Sequence, residues 1–315
     1  MNAPQKECFR ATADQADRRL DRVLRGLFRD VPLCAIMKAV RCGAIRLNGG
    51  RTSGDARLAE GDEVAVPWAS EIPAARAKQI HSHNREEKLA TILKNGDVWC
   101  VEKPAGLLSQ PDKEGGDSLI TRAWAQLGWD RRDFRPALIG RLDRNVSGVE
   151  AIAMNAPALR ALSEAMRQGR IKKIYIAVVC GDAPEEGEIS VPLIKDAGGN
   201  FARAARAGER GLDALTRFRK LSGNGRYSMM EVELVTGRPH QARAHLASIG
   251  HPVAGDLKYG SRNAAGSQRL MLHAHMMSFP VTMELPVGVR GVEAVSPVPA
   301  GFGKLLTKMS HGFIK

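Results

Sequence analysis

A single carboxylate lies between two arginines near the middle of the chain, in the segment 139–148 with the sequence IGRLDRNVSG. The acid is Asp143, the flanking cations are Arg141 and Arg144, and the largely apolar run 149–154 follows directly. Cationic neighbours keep a carboxylate ionised, and a turn of small residues beside an apolar strand often aims a reactive side chain at a cleft. Asp143 is therefore our candidate for the reactive group, although such a run considered alone is more often a surface ion-pair cluster.

A partner for this acid is expected about a hundred positions later, in the segment 236–246 with the sequence TGRPHQARAHL. The pattern predicts a short helix over 241–248 with His240 near its first turn. Arg243 would then point into the core. Since a buried cation needs a buried anion, Asp143 is the obvious partner, and an exposed basic helix is the alternative.

A third candidate lies in the run 172–181, which is apolar at nearly every position and predicts a strand buried on both faces. Tyr175 within this strand must find a hydrogen-bond partner or a ligand. The surrounding sequence predicts strands at 89–93 and 98–102, a Pro-Ala-Gly turn after Lys103, and a helix that begins at 155–157 and ends at Gly169.

The first 67 residues read as a small basic module. Apolar residues at helical spacing predict a helix over 17–28, with its arginines largely off the apolar stripe, and a second helix over 32–41. A strand at 44–47 runs into an Asn-Gly-Gly hairpin signal, and another strand is expected at 63–66. The exposed cations of this module are candidate phosphate contacts in RNA: Arg18, Arg19, Arg22, Lys38, Arg41 and Arg46.

Composition limits the class of protein. Lys and Arg number 47 against 34 Asp and Glu, which leaves a net charge of +13 and indicates a polyanion partner, with nucleic acid ahead of an anionic membrane. No long apolar window and no apolar signal core occur, so we expect a cytoplasmic protein with no membrane partner. The five cysteines are scattered without paired spacing, so neither disulfides nor a zinc site is expected.

Taken in order, these motifs resemble a known family. The N-terminal motifs R-L-D-x-x-L, G-x-x-R-x-N-G and L-x-x-G-D-x-V resemble the RNA-binding domain named after small-subunit ribosomal protein S-four. The later motifs G-R-L-D-x-x-x-S-G, K-x-Y-x-A-x-V-x-G and T-G-R-x-H-Q-x-R-x-H-L, with G-H-P-V-x-G-D-x-x-Y-G downstream, resemble the RluA-type RNA pseudouridine synthases. The pairing is most similar to their ribosomal large-subunit branch. Gly140 and Val146 depart from the usual His and Thr of the first motif, and Pro239 and Ala242 depart from the third.

The resemblance implies a fold, a domain organisation and a reaction. The fold would be α+β, with a mixed, largely antiparallel sheet, flanking helices and a central cleft. It would comprise a small α+β RNA-binding domain at 1–67, a linker at 68–87 and a catalytic domain at 88–315. The enzyme would isomerise uridines in large-subunit ribosomal RNA after flipping the base, as a monomer and without a cofactor or metal.

Residue roles follow from the same resemblance. Asp143 would be the essential carboxylate, either as a nucleophile or as a base that forms a glycal, and Arg243 would hold it ionised. Tyr175 would lie against the uracil ring, and Arg141 would fill the space that the flipped base leaves. Further substrate contacts would come from Lys173, Arg238, His240 and Gln241.

Three alternatives stay open from the sequence. A pseudouridine synthase acting on transfer RNA has the same motifs. A non-catalytic ribosomal RNA-binding or assembly factor is conceivable because the first motif lacks its usual His and Thr. The histidines, with His273 and His275 as a pair on one strand, raise a metal hydrolase, but their spacing fits no helical zinc signature.

Overall fold

Apolar residues at helical or alternating spacing build two units in the computed structural model, which describes residues 7–28, 31–68, 88–112, 115–129, 134–195, 201–206, 208–260 and 269–307. The described parts of Met1–His81, Gly128–Arg135 and Asn155–Pro157 form the first unit. The described parts of Ser82–Leu127, Pro136–Met154 and Ala158–Lys315 form the second. The linker predicted at 68–87 lies outside the described residues except for Trp68.

The first unit combines two helices with a small antiparallel sheet. Its elements are β1 (Glu7–Arg10), α1 (Leu20–Leu27), α2 (Leu33–Arg41), β2 (Arg46–Leu47), β3 (Gly50–Arg51) and β4 (Glu63–Val66), and the strands lie in the order β1-β4-β2-β3. Leu20, Ile36 and Val64 are fully buried in one apolar cluster. The helix expected from residue 17 begins only at Leu20, because Asp17 adopts a left-handed backbone with φ of 60°.

The chain then continues through a longer series of elements. They are β5 (Ala90–Lys94), β6 (Val98–Lys103), α3 (Leu119–Gln126), β7 (Ala137–Leu138), β8 (Ser147–Ala153), α4 (Ala156–Arg167), β9 (Lys172–Cys180), β10 (Glu186–Ile189), β11 (Leu193–Lys195), β12 (Ala202–Ala204), β13 (Thr216–Gly223), β14 (Tyr227–Leu234), α5 (Gln241–Ser248), β15 (Leu272–Ser278), a short 3-10 helix (Val287–Val289), β16 (Glu293–Val295) and α6 (Gly301–Thr307). Strand β9 and helix α5 coincide closely with their predicted ranges.

A ten-stranded sheet organises the second unit within the described residues. Eight strands follow the order β10-β13-β14-β9-β15-β8-β6-β5, while β7 pairs with β8 and β16 with β15. Only the β15–β8 pairing in this sheet is parallel, so the expected mixed, largely antiparallel α+β fold is confirmed. Strands β11 and β12 form a separate antiparallel pair.

Helices cover the sheet through two apolar clusters. Leu162 of α4 joins Val149 and Ala151 of β8 in one of them. Leu246 of α5 and Phe302 of α6 join the β9–β14 region in the other. The loop that carries Asp143 connects β7 to β8 beside these clusters, so the candidate acid is carried by a short, well-supported segment.

Gly148 makes the single parallel pairing possible. It pairs with Ala274 of β15, adopts a φ of 122°, and leaves no room for a Cβ atom, which would overlap the Ala274 backbone. Only glycine combines this backbone geometry with so close an approach. Of the helices described, none has the length and apolarity that a membrane crossing requires.

Candidate active site

Asp143 lies in a tight turn directly before β8. The peptide N–H of Val146 donates to the Asp143 carbonyl at 3.0 Å, which closes the turn, and Val146 itself is buried in the core. About 29% of the Asp143 side chain remains exposed, so the carboxylate faces a cleft while its backbone is anchored.

Arg243 of α5 holds this carboxylate, as the sequence predicts. One terminal guanidinium nitrogen lies 2.9 Å from Asp143 Oδ2. The other side of the guanidinium forks onto the buried Asp256, with Nε at 2.7 Å and the second terminal nitrogen at 2.8 Å. Burial opposes the positive charge, but the hydrogen bonds and charges of Asp256 and Asp143 outweigh it and raise the pKa of Arg243. The cation therefore bridges two carboxylates and stays charged.

Asp256 is a residue of the site that the sequence does not single out. It belongs to the Gly-His-Pro-Val-x-Gly-Asp motif, but an acid beside a glycine looks like an ordinary exposed turn residue. In the structure Asp256 is 1% exposed and accepts two of the guanidinium bonds that fix Arg243. The need of a buried cation for more than one acceptor is the signal that could have located it.

His240 and Tyr259 form the next layer around the acid. His240 precedes α5 in a left-handed backbone conformation with φ of 55°, an uncommon state for a residue other than glycine. Its Nδ1 lies 3.0 Å from the Tyr259 hydroxyl, and its Nε2 lies 3.7 Å from Asp143 Oδ2. Burial lowers the pKa of His240, so the ring is neutral at neutral pH. The Arg243 guanidinium also lies over the Tyr259 ring, with its central carbon 5.1 Å from the ring centroid.

Tyr175 of β9 lies beside Asp143 in the same cleft. Burial, followed by the negative charges of Asp143 and Glu150, raises the pKa of its phenol, so the hydroxyl keeps its proton. The hydroxyl forms no hydrogen bond with the residues that the structure describes, and the ring is only partly buried. The partner that the sequence demands is thus absent from the described protein atoms around it, and the phenol is available to a ligand.

The cleft has a volume of about 560 Å³, large enough for a nucleoside. Its walls include Asp143, Tyr175 and Arg243, together with the exposed Arg141 and the partly exposed Arg238. A wider groove of about 1000 Å³ also reaches Asp143 and is lined by cations that sequence reasoning did not select: Arg144, Lys258 and Arg269.

All four of the further substrate contacts expected from the resemblance are engaged by the protein. His240 lies beside Tyr259, as described above, and Arg238 Nε donates to the Asp213 carbonyl at 2.8 Å. Gln241 is 2% exposed; its Oε1 accepts from Thr236 Oγ1 at 2.7 Å and its Nε2 donates to Leu215 O at 2.9 Å. Its amide therefore holds the loop before α5 and cannot reach a substrate without breaking these bonds. Lys173 lies with Nζ 3.5 Å from the Thr236 carbonyl, and burial lowers its pKa.

A second buried pair of charges lies directly behind the Asp143 turn, and sequence reasoning missed it too. Lys103 at the end of β6 is completely buried and donates to the carbonyl oxygens of Leu107 and Arg144 at 2.8 and 3.1 Å. Glu150 of β8 is 3% exposed and accepts from Ser109 Oγ. Both side chains reach the loop that contains the acid.

The paired histidines on β15 are occupied by hydrogen bonds. His273 has Nδ1 2.9 Å from Ser147 Oγ, and His275 has Nδ1 2.8 Å from the Ser296 carbonyl. Burial also lowers the pKa of His273 to about 4. Across the described ranges, no group of three His, Cys, Asp or Glu side chains is arranged to hold a metal ion. These rings support the fold and the Ser147 region instead of forming a chelating pair.

The six cations proposed for RNA contact in the first unit are all exposed: Arg18, Arg19, Arg22, Lys38, Arg41 and Arg46. Two of them are partly engaged, because Arg19 forms a forked ion pair with Asp21 and Arg46 donates to the Gly49 carbonyl at 2.9 Å. The remaining four side chains extend from the surface of the helical module.

Comparison with known proteins identifies the fold and the family. The fold is that of an RNA pseudouridylate synthase: human RNA pseudouridylate synthase domain containing 1 aligns with a TM-score of 0.55 at 23% identity, over 67% of this chain and 84% of that structure. The RNA pseudouridylate synthase family model matches residues 97–248.

Two curated relatives extend the similarity over most of the chain. Ribosomal large subunit pseudouridine synthase C of Haemophilus ducreyi is 33% identical over 88% of this chain and 89% of its own length. The protein of the same name from Escherichia coli is 30% identical over 98% of both chains. The chain therefore belongs to the RluA-type RNA pseudouridine synthases.

Proposed function

We propose that this enzyme converts uridines of large-subunit ribosomal RNA to pseudouridine, with Asp143 as the essential carboxylate. The observation that carries the proposal is the ion pair of Asp143 with the buried Arg243 beside the phenol of Tyr175, at the wall of a nucleoside-sized cleft. Both relatives are ribosomal large subunit pseudouridine synthases, which favours ribosomal RNA as the substrate.

The reaction breaks the bond between the ribose and nitrogen one of uracil, turns the base, and rejoins it through carbon five. It is redox-neutral, so the chain's own side chains suffice to move the protons. Asp143 acts on the ribose, either by attacking carbon one or by taking a ribose proton, and must be ionised for both routes. Arg243 donates a hydrogen bond to this carboxylate, and Asp256 keeps Arg243 in place.

Tyr175 serves the base half of the reaction. Its partly exposed ring offers a face on which the detached uracil can turn, because stacking tolerates rotation in the ring plane. Once the new bond has formed, the proton on carbon five must pass to a base; the phenol keeps its own proton and hydrogen-bonds the uracil, and the Asp143 carboxylate, ionised again after the base has rejoined the ribose, accepts the proton. Arg141 enters the stack in place of the flipped base, which offsets the cost of extruding it.

Binding of the RNA uses charge over a wide area. The groove with Arg144, Lys258 and Arg269 accepts the phosphates that flank the flipped nucleotide, with Arg238 and Lys173 near the base pocket. The first unit is an RNA-binding domain of the S-four type, joined through residues 68–87 to the catalytic domain at 88–315. The enzyme works as a cytoplasmic monomer in this proposal, since ribosomal RNA is the substrate and the proposed contacts with the nucleotide require no second copy.

Release of tritium from carbon five tests this function. Ribosomal RNA fragments and transfer RNA, each carrying uridine tritiated at carbon five, are incubated with wild type, Asp143→Asn and the surface control Asp182→Asn. We expect wild type and the control to release tritium from ribosomal RNA, and Asp143→Asn to be slower by at least about 1,000-fold with RNA binding kept. Release from transfer RNA alone would reassign the substrate, and no release from either would indicate a non-catalytic binding protein.

A further inference from the structure

We infer that Glu150 is a positioning residue for the reactive carboxylate, acting with Ser109 on the peptide group that precedes Asp143. This inference rests on the function proposed above and adds to it the device that aims Asp143. It starts from a residue type that is out of place: β8 is buried at all seven positions, and Glu150 is its one charged residue.

The carboxylate of Glu150 reaches the backbone of the Asp143 turn directly. Its Oε1 accepts the peptide N–H of Leu142, the residue immediately before Asp143, and also the hydroxyl of Ser109. Ser109 Oγ lies 3.1 Å from the same Leu142 nitrogen and 2.9 Å from the Leu142 carbonyl oxygen. The Ser109 hydroxyl has one proton, so it donates either to Glu150 Oε1 or to the Leu142 carbonyl; in both cases the peptide N–H of Leu142 faces acceptor oxygens of two buried side chains.

Lys103 fixes the other end of the same turn. Its amine donates to the carbonyl of Arg144, the residue immediately after Asp143, at 3.1 Å. Glu150 and Lys103 attract each other electrostatically, and burial raises the pKa of the first to about 7 and lowers that of the second to about 8. The backbone is therefore fixed at both residues that flank Asp143. This orients the Asp143 carboxylate toward Arg243.

The second carboxylate oxygen of Glu150, Oε2, indicates that the acceptor oxygen Oε1 is the part of the side chain that the Asp143 turn uses. Oε2 is buried and has no hydrogen-bond partner among the residues that the structure describes, so a proton can reside there while Oε1 continues to accept. An acceptor oxygen at the place of Oε1 is what the Asp143 turn requires, in either protonation state of the carboxyl group. Glutamine supplies that oxygen, whereas leucine of similar size supplies none and suits a buried strand.

The experiment compares three single variants, Glu150→Leu, Glu150→Gln and Ser109→Ala. It adds one double variant, which combines Ser109→Ala with Glu150→Leu. Ser228→Ala is the matched control, because Ser228 is another buried serine whose hydroxyl bridges backbone groups, at Gly181 and Ala183. Single-turnover tritium release gives the rate of the chemical step, and filter retention gives RNA affinity.

We expect Glu150→Leu to slow the chemical step on the order of 100-fold with RNA affinity changed by less than about threefold, as a displacement of about 1 Å would. Glu150→Gln should stay within about fivefold of wild type, and the double variant should be no slower than Glu150→Leu, because both groups act through Leu142. A rate for Glu150→Leu near that of wild type or Ser228→Ala, or a Glu150→Gln rate as low as that of Glu150→Leu, would overturn the inference.

Amide hydrogen exchange separates this inference from the function on which it rests. The Leu142 amide should exchange faster in Glu150→Leu than in wild type or Glu150→Gln, whether or not any RNA is turned over. An inactive wild type with this exchange pattern would refute the proposed function and leave the positioning role standing. Unchanged exchange in Glu150→Leu would refute the positioning role even in an active enzyme.

Discussion

At the scale of single residues, the site is organised by charges that cannot be left unpaired. Arg243 is 8% exposed and has acceptors on both sides of its guanidinium, one of them the proposed catalytic carboxylate. Removing either acceptor leaves part of a buried cation without a partner, which costs several kcal/mol. Under the proposed mechanism, stability and catalysis therefore depend on the same three side chains.

Replacement of Asp256 should lower the stability of the protein. Asp256→Ala removes two guanidinium acceptors at a position that is 1% exposed, so we expect the free energy of unfolding to fall by about 3–5 kcal/mol. Urea denaturation measures the loss, with Asp182→Ala, which removes a surface acid, as the control. A loss below about 1 kcal/mol would mean that Arg243 finds other partners.

Glu150 should make stability depend on pH. Burial raises its folded-state pKa from the ordinary 4.5 to about 7, so its favourable contribution is complete below about pH 4.5 and is lost as the pH rises through about 7. Lys103 stays charged throughout this window because its pKa is about 8. Relative to Glu150→Gln, which does not titrate, wild type should lose unfolding free energy between pH 4.5 and 7. Parallel pH profiles of the two proteins in urea would contradict this.

The sequence predicts the site unevenly, for a physical reason. The pairing of Asp143 with Arg243 follows from the types of the two residues, because a cation inside a helix-packed core demands an anion. Asp256 and Glu150 do not follow, because their burial depends on which surfaces the finished fold brings over them. Gln241 was expected to touch substrate, yet the same tertiary contacts turn its amide inward.

At the scale of elements, periodicity located β9 and α5 well, because each is apolar or ordered by tertiary packing along its whole length. Local backbone states decide the less accurate boundaries. The left-handed Asp17 delays α1, and the hairpin at Asn48, with φ of 49°, leaves only Arg46–Leu47 as strand where four residues were expected. The parallel pairing of β8 with β15 has no signature in the sequence around it, since it joins strands more than a hundred residues apart.

That pairing gives a prediction for Gly148. In Gly148→Ala the added Cβ would overlap the Ala274 backbone, so β8 and β15 must separate. The φ of 122° at this position is also one that alanine rarely adopts. We expect a loss of at least about 3 kcal/mol in unfolding free energy and, with the Asp143 turn displaced, loss of tritium release. Gly303→Ala is the control, because Gly303 has open space within helix α6 and alanine there should add about 0.5–1 kcal/mol. Equal stability of the two variants would contradict the proposed packing role.

At the scale of the whole molecule, the positive charges include two kinds: buried cations paired with acids and surface cations without an ion-pair partner among the described residues. The net charge of +13 includes cations held inside by acids, such as Arg243, and surface cations that form no ion pair with the described residues. Arg18 and Arg22 of the first unit are of the second kind, since no ion pair joins them to the described residues. Arg217 and Arg219 on β13 are exposed too, but each pairs with a glutamate. Only unpaired surface cations can release counterions from RNA without first losing a protein partner.

The salt dependence of RNA binding distinguishes these two kinds of surface cation. Arg18→Gln with Arg22→Gln should reduce the slope of log affinity against log salt concentration by about 1.5, because each phosphate contact contributes roughly 0.7 to 0.9. Arg217→Gln with Arg219→Gln removes the same formal charge and should leave the slope nearly unchanged, as their glutamates already neutralise them. Titrations of a ribosomal RNA fragment from low to moderate salt measure both slopes. Equal reductions would show that net charge alone attracts the RNA, and that the first unit makes no particular phosphate contacts.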